Sequence, residues 1–412
     1  MHKTLKTTLA GLAVSTMLST AVFAQTAEVI HWWTSGGESA ALNTFADKFK
    51  EQGGTWVDNA VAGGSNARTA AITRAVGGDP ATMWQFNTGK QFDDLVAQGM
   101  LRNLDEIAEA GGWREFLPQA FIDATTRDGH FYALPVNVHG QSWLWYNKPL
   151  FEEIGAPVPD TWENFWKAGD MLKEAGKIPV AYSAQMTWDR HTFTHFLLYV
   201  GGRDFFLKVF RDHDEDAIRS DTFREAAEAF RRLHDYVDEG APARKQWSDA
   251  TNLVITGEAG MQFMGDWAKG EWVAANKVAG VDYGCVLGPG DPAFLMGGDV
   301  FVFSKTDDPD ELKAQNMLAE IMISPEGQVN FNNKKGSVPV RQDVETSAMD
   351  ECAQVGIEVM GDPGQQIPGT NLLLSPDLRG ALGDLMSEYW NDPSMSTDDF
   401  VDRFVEEIEL AS

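Results

Sequence analysis

Residues 29–61 read VIHWWTSGGESAALNTFADKFKEQGGTWVDNAV. The run 29–33 is short and apolar, as a buried strand requires. After Thr34-Ser35-Gly36-Gly37, read as a loop, Leu42, Phe45, Ala46 and Phe49 recur at helical spacing, and Gly53-Gly54 closes the helix. Residues 56–61 return to a strand. The rhythm repeats with a helix over 67–76, a stop at Gly77-Gly78, and a third strand over 82–86. Strand, helix, strand, helix, strand in this order predicts a mostly parallel sheet covered by helices, an α/β fold.

Further along, Arg127-Asp128-Gly129-His130 reads as a hairpin turn. Residues 136–146 are rich in β-formers, and Thr161 is placed to cap a helix. Helices are expected over 191–200, 221–238, 252–258, 310–323, 376–390 and 397–410. Strands are expected over 260–264, 282–287 and 300–303. A chain of 412 residues is too long for one small core and suggests about two domains. No low-complexity linker separates them, so the chain is expected to cross between domains more than once.

The first 24 residues form an address. Lys3 and Lys6 precede an apolar run from Leu9 to Phe23, and small residues end at Ala24, the pattern of a cleavable secretory leader. Its apolar stretch is broken by Ser15, Thr16, Ser19 and Thr20, which disfavours a membrane span. No Cys follows the cleavage point, so no lipid anchor is expected there. Removing the leader takes away two lysines and changes the formal charge from −28 to −30. Such a surface repels a polyanion and excludes nucleic acid as a partner; it also weighs against anionic ligands. Two cysteines exclude a disulfide scaffold; Cys285 and Cys352 are either bonded to each other or two free thiols.

Few residues offer catalysis. Neither a nucleophile elbow nor a phosphate loop is present. Gly288-Pro289-Gly290-Asp291-Pro292-Ala293 mimics a dinucleotide fingerprint, but no helix follows, so it reads as a turn. His191 and His195 share a helix face with no third ligand, and they read as core histidines rather than a metal pair. Asp212-His213-Asp214-Glu215-Asp216 lacks the glycine of a calcium loop. No metal and no cofactor is expected.

Aromatic and polar residues instead gather at strand ends. Trp32 and Trp33 are followed by Glu38, and Gln85, Asn87 and Lys90 stand at the third strand. Trp267 follows Gly265-Asp266, Asp299 follows Gly297-Gly298, and Lys335 precedes Gly336. Ligands of open parallel sheets bind at the carboxyl ends of the strands, so these groups should share a crevice. Indole planes suit the C–H face of a sugar ring, and carboxylates, amides and ammonium groups suit its hydroxyl rim.

The chain resembles the extracellular solute-binding proteins of sugar ABC transporters, in the cluster of maltose- and glucose-binding members. The resemblance rests on Gly99-Met100-Leu101, Tyr132-Ala133-Leu134-Pro135-Val136 and Trp145-Tyr146-Asn147-Lys148-Pro149-Leu150-Phe151. It continues through Pro159-Asp160-Thr161-Trp162, Gly257-Glu258-Ala259-Gly260-Met261, Gly265-Asp266-Trp267 and Lys335-Gly336-Ser337-Val338-Pro339-Val340-Arg341. It implies two α/β lobes with a ligand cleft between them and a multi-crossing hinge. Lobe one would take residues 25–135 plus 299–340, and lobe two 136–298 plus 341–412.

The Trp pair with Glu38 is most similar to glucose- and galactose-type members. That likeness implies ligand contacts from Trp32, Trp33, Glu38, Gln85, Asn87, Trp267, Asp299 and Lys335, with His139 near the hinge. Two positions depart from it: Asn371 stands where a His is expected, and Asn87 where a basic residue often stands. The implied function is a periplasmic, monomeric, non-enzymatic receptor that closes on a monosaccharide and delivers it to a membrane permease. A short oligosaccharide, a polyol or an opine are alternatives, and a glycoside hydrolase using Glu38 and Asp299 is a remote one.

Overall fold

The computed structural model describes residues 25–411; the expected leader, residues 1–24, lies outside them. A first sheet has five strands in the order Thr55–Ala60, Thr26–His31, Met83–Asn87, Asp299–Phe303 and Leu134–Pro135. The first three run parallel, as the alternating pattern predicts, while Asp299–Phe303 enters antiparallel to both neighbours. Helices Gly36–Glu51, Gly64–Val76 and Pro309–Ile323 pack on this sheet. Phe45, Phe49, Met83 and Phe301 fill its core and are fully buried.

A second sheet has the order Tyr283–Leu287, Trp143–Asn147, Ala259–Phe263 and Ile178–Val180. Every residue of Trp143–Asn147 is buried, because the strand is central and helices cover it. The helical stretch Met186–Phe210, kinked at Gly202, together with Asp221–Arg232, Pro376–Asn391 and Thr397–Ala411, forms an aromatic-rich second core. Between the two bodies lies a small sheet of Gln366–Pro368, Phe294–Gly297 and His139–Gly140. Its strands lead straight into Asp299 and out of Leu134–Pro135, so chain crossings and cleft floor coincide.

Local chemistry accounts for most boundaries. Thr161 accepts from the Asn164 N–H and starts Trp162–Glu174. Asp128 and Gly129 have φ of 51° and 83°, the left-handed pair that a tight hairpin needs between Thr126–Arg127 and His130–Phe131. Two expectations are corrected. The Gly36-Gly37 segment is not loop: Ser35 accepts from the Glu38 N–H, so the helix begins at Gly36 and carries Glu38 in its first turn. The first strand ends at His31, so Trp32 and Trp33 lie beyond it. Cys285 and Cys352 are joined in a disulfide, which ties the strand Tyr283–Leu287 to the helix Glu351–Met360.

Candidate functional site

A cleft of about 740 Å³ opens between the two bodies. Trp32, Trp33, Glu38, Asn87, His139, Trp267, Asp299, Lys335 and Asn371 all line it. Gln85 does not. It lies within the strand Met83–Asn87, buried behind the wall, and its Oε1 accepts the Trp32 backbone N–H at 3.0 Å. Its place is to position Trp32. Lys90 is exposed and does not line the cleft.

The charged residues of the floor are paired. Lys335 Nζ reaches Glu38 Oε1 at 3.1 Å, and both are almost fully buried. Ser35 donates to the other Glu38 oxygen at 3.0 Å, which fixes the carboxylate. His139 contacts Asp299 Oδ2 at 2.8 Å through Nε2 and Asp266 Oδ1 at 2.5 Å through Nδ1. Burial opposes charge on His139, but the two carboxylates outweigh it and push its pKa up to about 9. Burial likewise opposes the Asp299 charge, yet the imidazolium beside it holds that carboxyl below its ordinary value. Asn87 and Asn137 donate to the two Asp299 oxygens at 3.1 and 3.0 Å.

The aromatic walls are unequal. Trp33 is fully buried and packs edge-on to Phe301 and against Phe331, so it serves the core more than the cleft. Trp267 is half-buried and stands edge-on to His139 at 5.1 Å. Trp188, which sequence reasoning missed, faces Trp267 at 6.2 Å, and His191 lies 5.5 Å from the same ring. The histidine pair is buried, as expected, but His191 also reaches the cleft. Among the described residues no His, Cys, Asp and Glu group could hold a metal.

Several polar atoms around this cleft have no partner in the protein: Trp267 Nε1, His191 Nε2, Asn371 Oδ1 and Arg379 Nε. A buried polar group without a partner costs free energy, which a ligand can recover. Asn371 donates to the Thr88 carbonyl at 2.9 Å across the cleft. Where the resemblance leads one to expect a basic residue at Asn87, Arg68 approaches instead, its Nη1 3.5 Å from Asn87 Oδ1. Arg68, Arg190, Gln141 and Arg379 also line the cleft and were not found from sequence. They sit on helices and a crossing segment whose meeting is a tertiary property.

A cleft between two α/β bodies, floored by paired charges and walled by indoles, defines a solute receptor. The family model described as bacterial extracellular solute-binding protein matches residues 33–329. A probable sugar-binding periplasmic protein of Rhizobium meliloti (strain 1021) is 38% identical over 86% of this chain and 86% of its own. The chain therefore belongs to the bacterial extracellular solute-binding proteins. Among solved structures, a chitin oligosaccharide binding protein matches 93% of this chain and 98% of its own at a TM-score of 0.77 and 20% identity. A bacterial receptor with an exclusive preference for β-D-galactopyranose matches the same shares at a TM-score of 0.77 and 19% identity. These two likenesses speak for the two-lobed fold.

Proposed function

We propose that the chain is the periplasmic sugar-binding component of an ABC importer, handing its ligand to membrane permease subunits. The observation that carries this reading is Trp267, with Trp188 beside it and unpartnered polar atoms around it, above a floor where Glu38 and Asp299 already have cationic partners. A sugar ring supplies both the C–H face that an indole packs and the hydroxyls that satisfy lone donors and acceptors. Relatives described as sugar-binding periplasmic proteins point the same way. In this reading Trp32, Glu38, Asn87, His139, Asp299, Lys335 and Asn371 contact the ligand or hold those that do.

The open form exchanges sugar, and closure removes water and strengthens each hydrogen bond. The ligand favours closure only through its differential affinity for the closed form. A monosaccharide of glucose or galactose type fits the Glu38, Asp299 and Lys335 set, and the volume of about 740 Å³ also admits a short oligosaccharide. The hydrolase reading is set aside: its two carboxylates are neutralised by Lys335 and His139, and the relatives are solute-binding proteins.

A thermal-shift panel on ligand-stripped protein, with mono-, di- and trisaccharides and polyols at millimolar concentration, tests this reading. Saturation to a hundred times Kd stabilises by about 2.7 kcal/mol. A shift with sugars is expected; a shift with polyols alone, or with none of them, would overturn the sugar reading.

A further inference from the structure

The chain carries 61 acidic residues against 33 basic ones, yet basic side chains without carboxylate partners collect in this cleft. Arg68 comes from the helix Gly64–Val76, Arg190 from Met186–Phe210 and Arg379 from Pro376–Asn391. All three are half-buried, and the exposed Lys245 lines the same space. The other cations of the cleft are spoken for: Lys335 by Glu38, and His139 by Asp266 and Asp299. Among the described residues, none of Arg68, Arg190 and Arg379 has a carboxylate within ion-pair distance.

What these guanidinium groups do have is weak or shared. Arg68 lies over the Trp32 ring at 5.4 Å and reaches Ser65 Oγ at 3.3 Å. Among the described residues, the Arg190 guanidinium has the Met186 sulfur, at 3.9 Å, as its hydrogen-bond partner. Arg379 Nε is buried without a partner. Burial, and then the charge of Arg379, lowers the Arg68 pKa to about 10. Burial, then Arg379 and Arg68, holds Arg190 well below its ordinary value, with Asp384 opposing from a distance. Three like charges therefore line one cleft, partly desolvated and mutually repulsive.

We infer that the ligand of this cleft is a sugar bearing an oxyanion, a carboxylate or a phosphate, seated among Arg68, Arg190 and Arg379. The inference rests on the sugar-receptor reading and names the ligand's class within it. Guanidinium forks match carboxylate and phosphate geometry and form strong, charge-assisted hydrogen bonds. The arrangement also couples charge to motion. Arg68 stands on a helix of the first sheet's body, and Arg190 and Arg379 on helices of the second. Closing the cleft drives Arg68 towards Arg190 and Arg379, and an anion between them turns that repulsion into attraction. The anion thus binds the closed form better than the open one, which is the condition for driving closure. The net negative charge, which weighs against anionic ligands from sequence alone, is inverted locally where binding occurs.

Calorimetry on the ligand-stripped full chain would compare glucuronate, galacturonate, digalacturonate and glucose 6-phosphate with glucose and galactose at low and high salt. The expected result is at least a tenfold advantage for one anionic sugar over its neutral parent. The advantage should shrink in high salt and fall at least fivefold in Arg379→Gln and in Arg190→Gln, with neutral-sugar binding less affected. Uronates against the phosphate ester separate the two oxyanion sources. If glucose or galactose binds as tightly as every anionic sugar, this inference is overturned and the sugar-receptor reading stands. If no carbohydrate of either charge binds, both fall.

Discussion

His139 Nε2 lies 2.8 Å from Asp299 Oδ2, and this contact joins the segment that crosses between the two bodies to the antiparallel strand of the first sheet. The other ring nitrogen holds Asp266, so one imidazolium bridges two carboxylates beneath the cleft. Because its pKa is raised to about 9, the charge persists throughout the neutral range.

This contact sets a pH dependence. A group raised from an ordinary value near 6.5 stabilises the fold fully below that value. That stability is lost as pH rises through about 9. Chemical unfolding between pH 6 and 10 should show a decline centred between these values, and His139→Gln should lessen it. A flat profile in the native protein would show that His139 is neutral.

Removing Lys335 leaves Glu38 buried without its cation. Lys335→Met should cost about 3–5 kcal/mol in chemical unfolding, the range for breaking a buried pair. The double variant Glu38→Gln with Lys335→Met should recover much of that loss. An equal loss in both would mean that Lys335 acts through packing rather than charge.

The disulfide closes a loop with a sequence separation of 67 residues. Chain-entropy arithmetic gives about 4 kcal/mol for a loop of this length. Cys285→Ser with Cys352→Ser should unfold at correspondingly lower denaturant while keeping its ligand affinity, since neither cysteine lines the cleft.

Gly89 has φ of 116°, and a Cβ there would sit 2.2 Å from the Asn371 carbonyl oxygen. Gly89→Ala should therefore disfavour the closed approach of the two walls. Ligand affinity should drop at least tenfold, through faster dissociation, and stopped-flow fluorescence reads this directly. Unchanged dissociation would mean that this contact is not part of closure.

Much of the first sheet was legible because its signals are local. Leu42, Phe45 and Phe49 recur at the helical period, Gly53 and Gly77 stop helices, and Asp128-Gly129 makes the hairpin. Trp143–Asn147 was visible as β-forming, but not its antiparallel pairing with Ala259–Phe263 and Tyr283–Leu287, since partner choice over a hundred residues leaves no local mark. In the cleft, strand-end residues such as Asn87, Trp267 and Asp299 were found because their position and glycine neighbours announce them. Gln85 was expected in the cleft, but it lies inside its strand and turns its amide back to hold Trp32, an orientation that only the fold shows. Trp188, Arg190 and Arg379 escaped because they sit on ordinary helices, and only the meeting of the two bodies makes them neighbours.

Trp267 forms the wall against which a sugar packs. Titration calorimetry of ligand-stripped protein and of Trp267→Ala, using the best sugar of the panel, tests it directly. One site per chain is expected in the native protein, with a loss of affinity of about tenfold or more in the variant, near the upper end of an aromatic stacking contribution. Binding of that sugar with equal affinity to both proteins would contradict it.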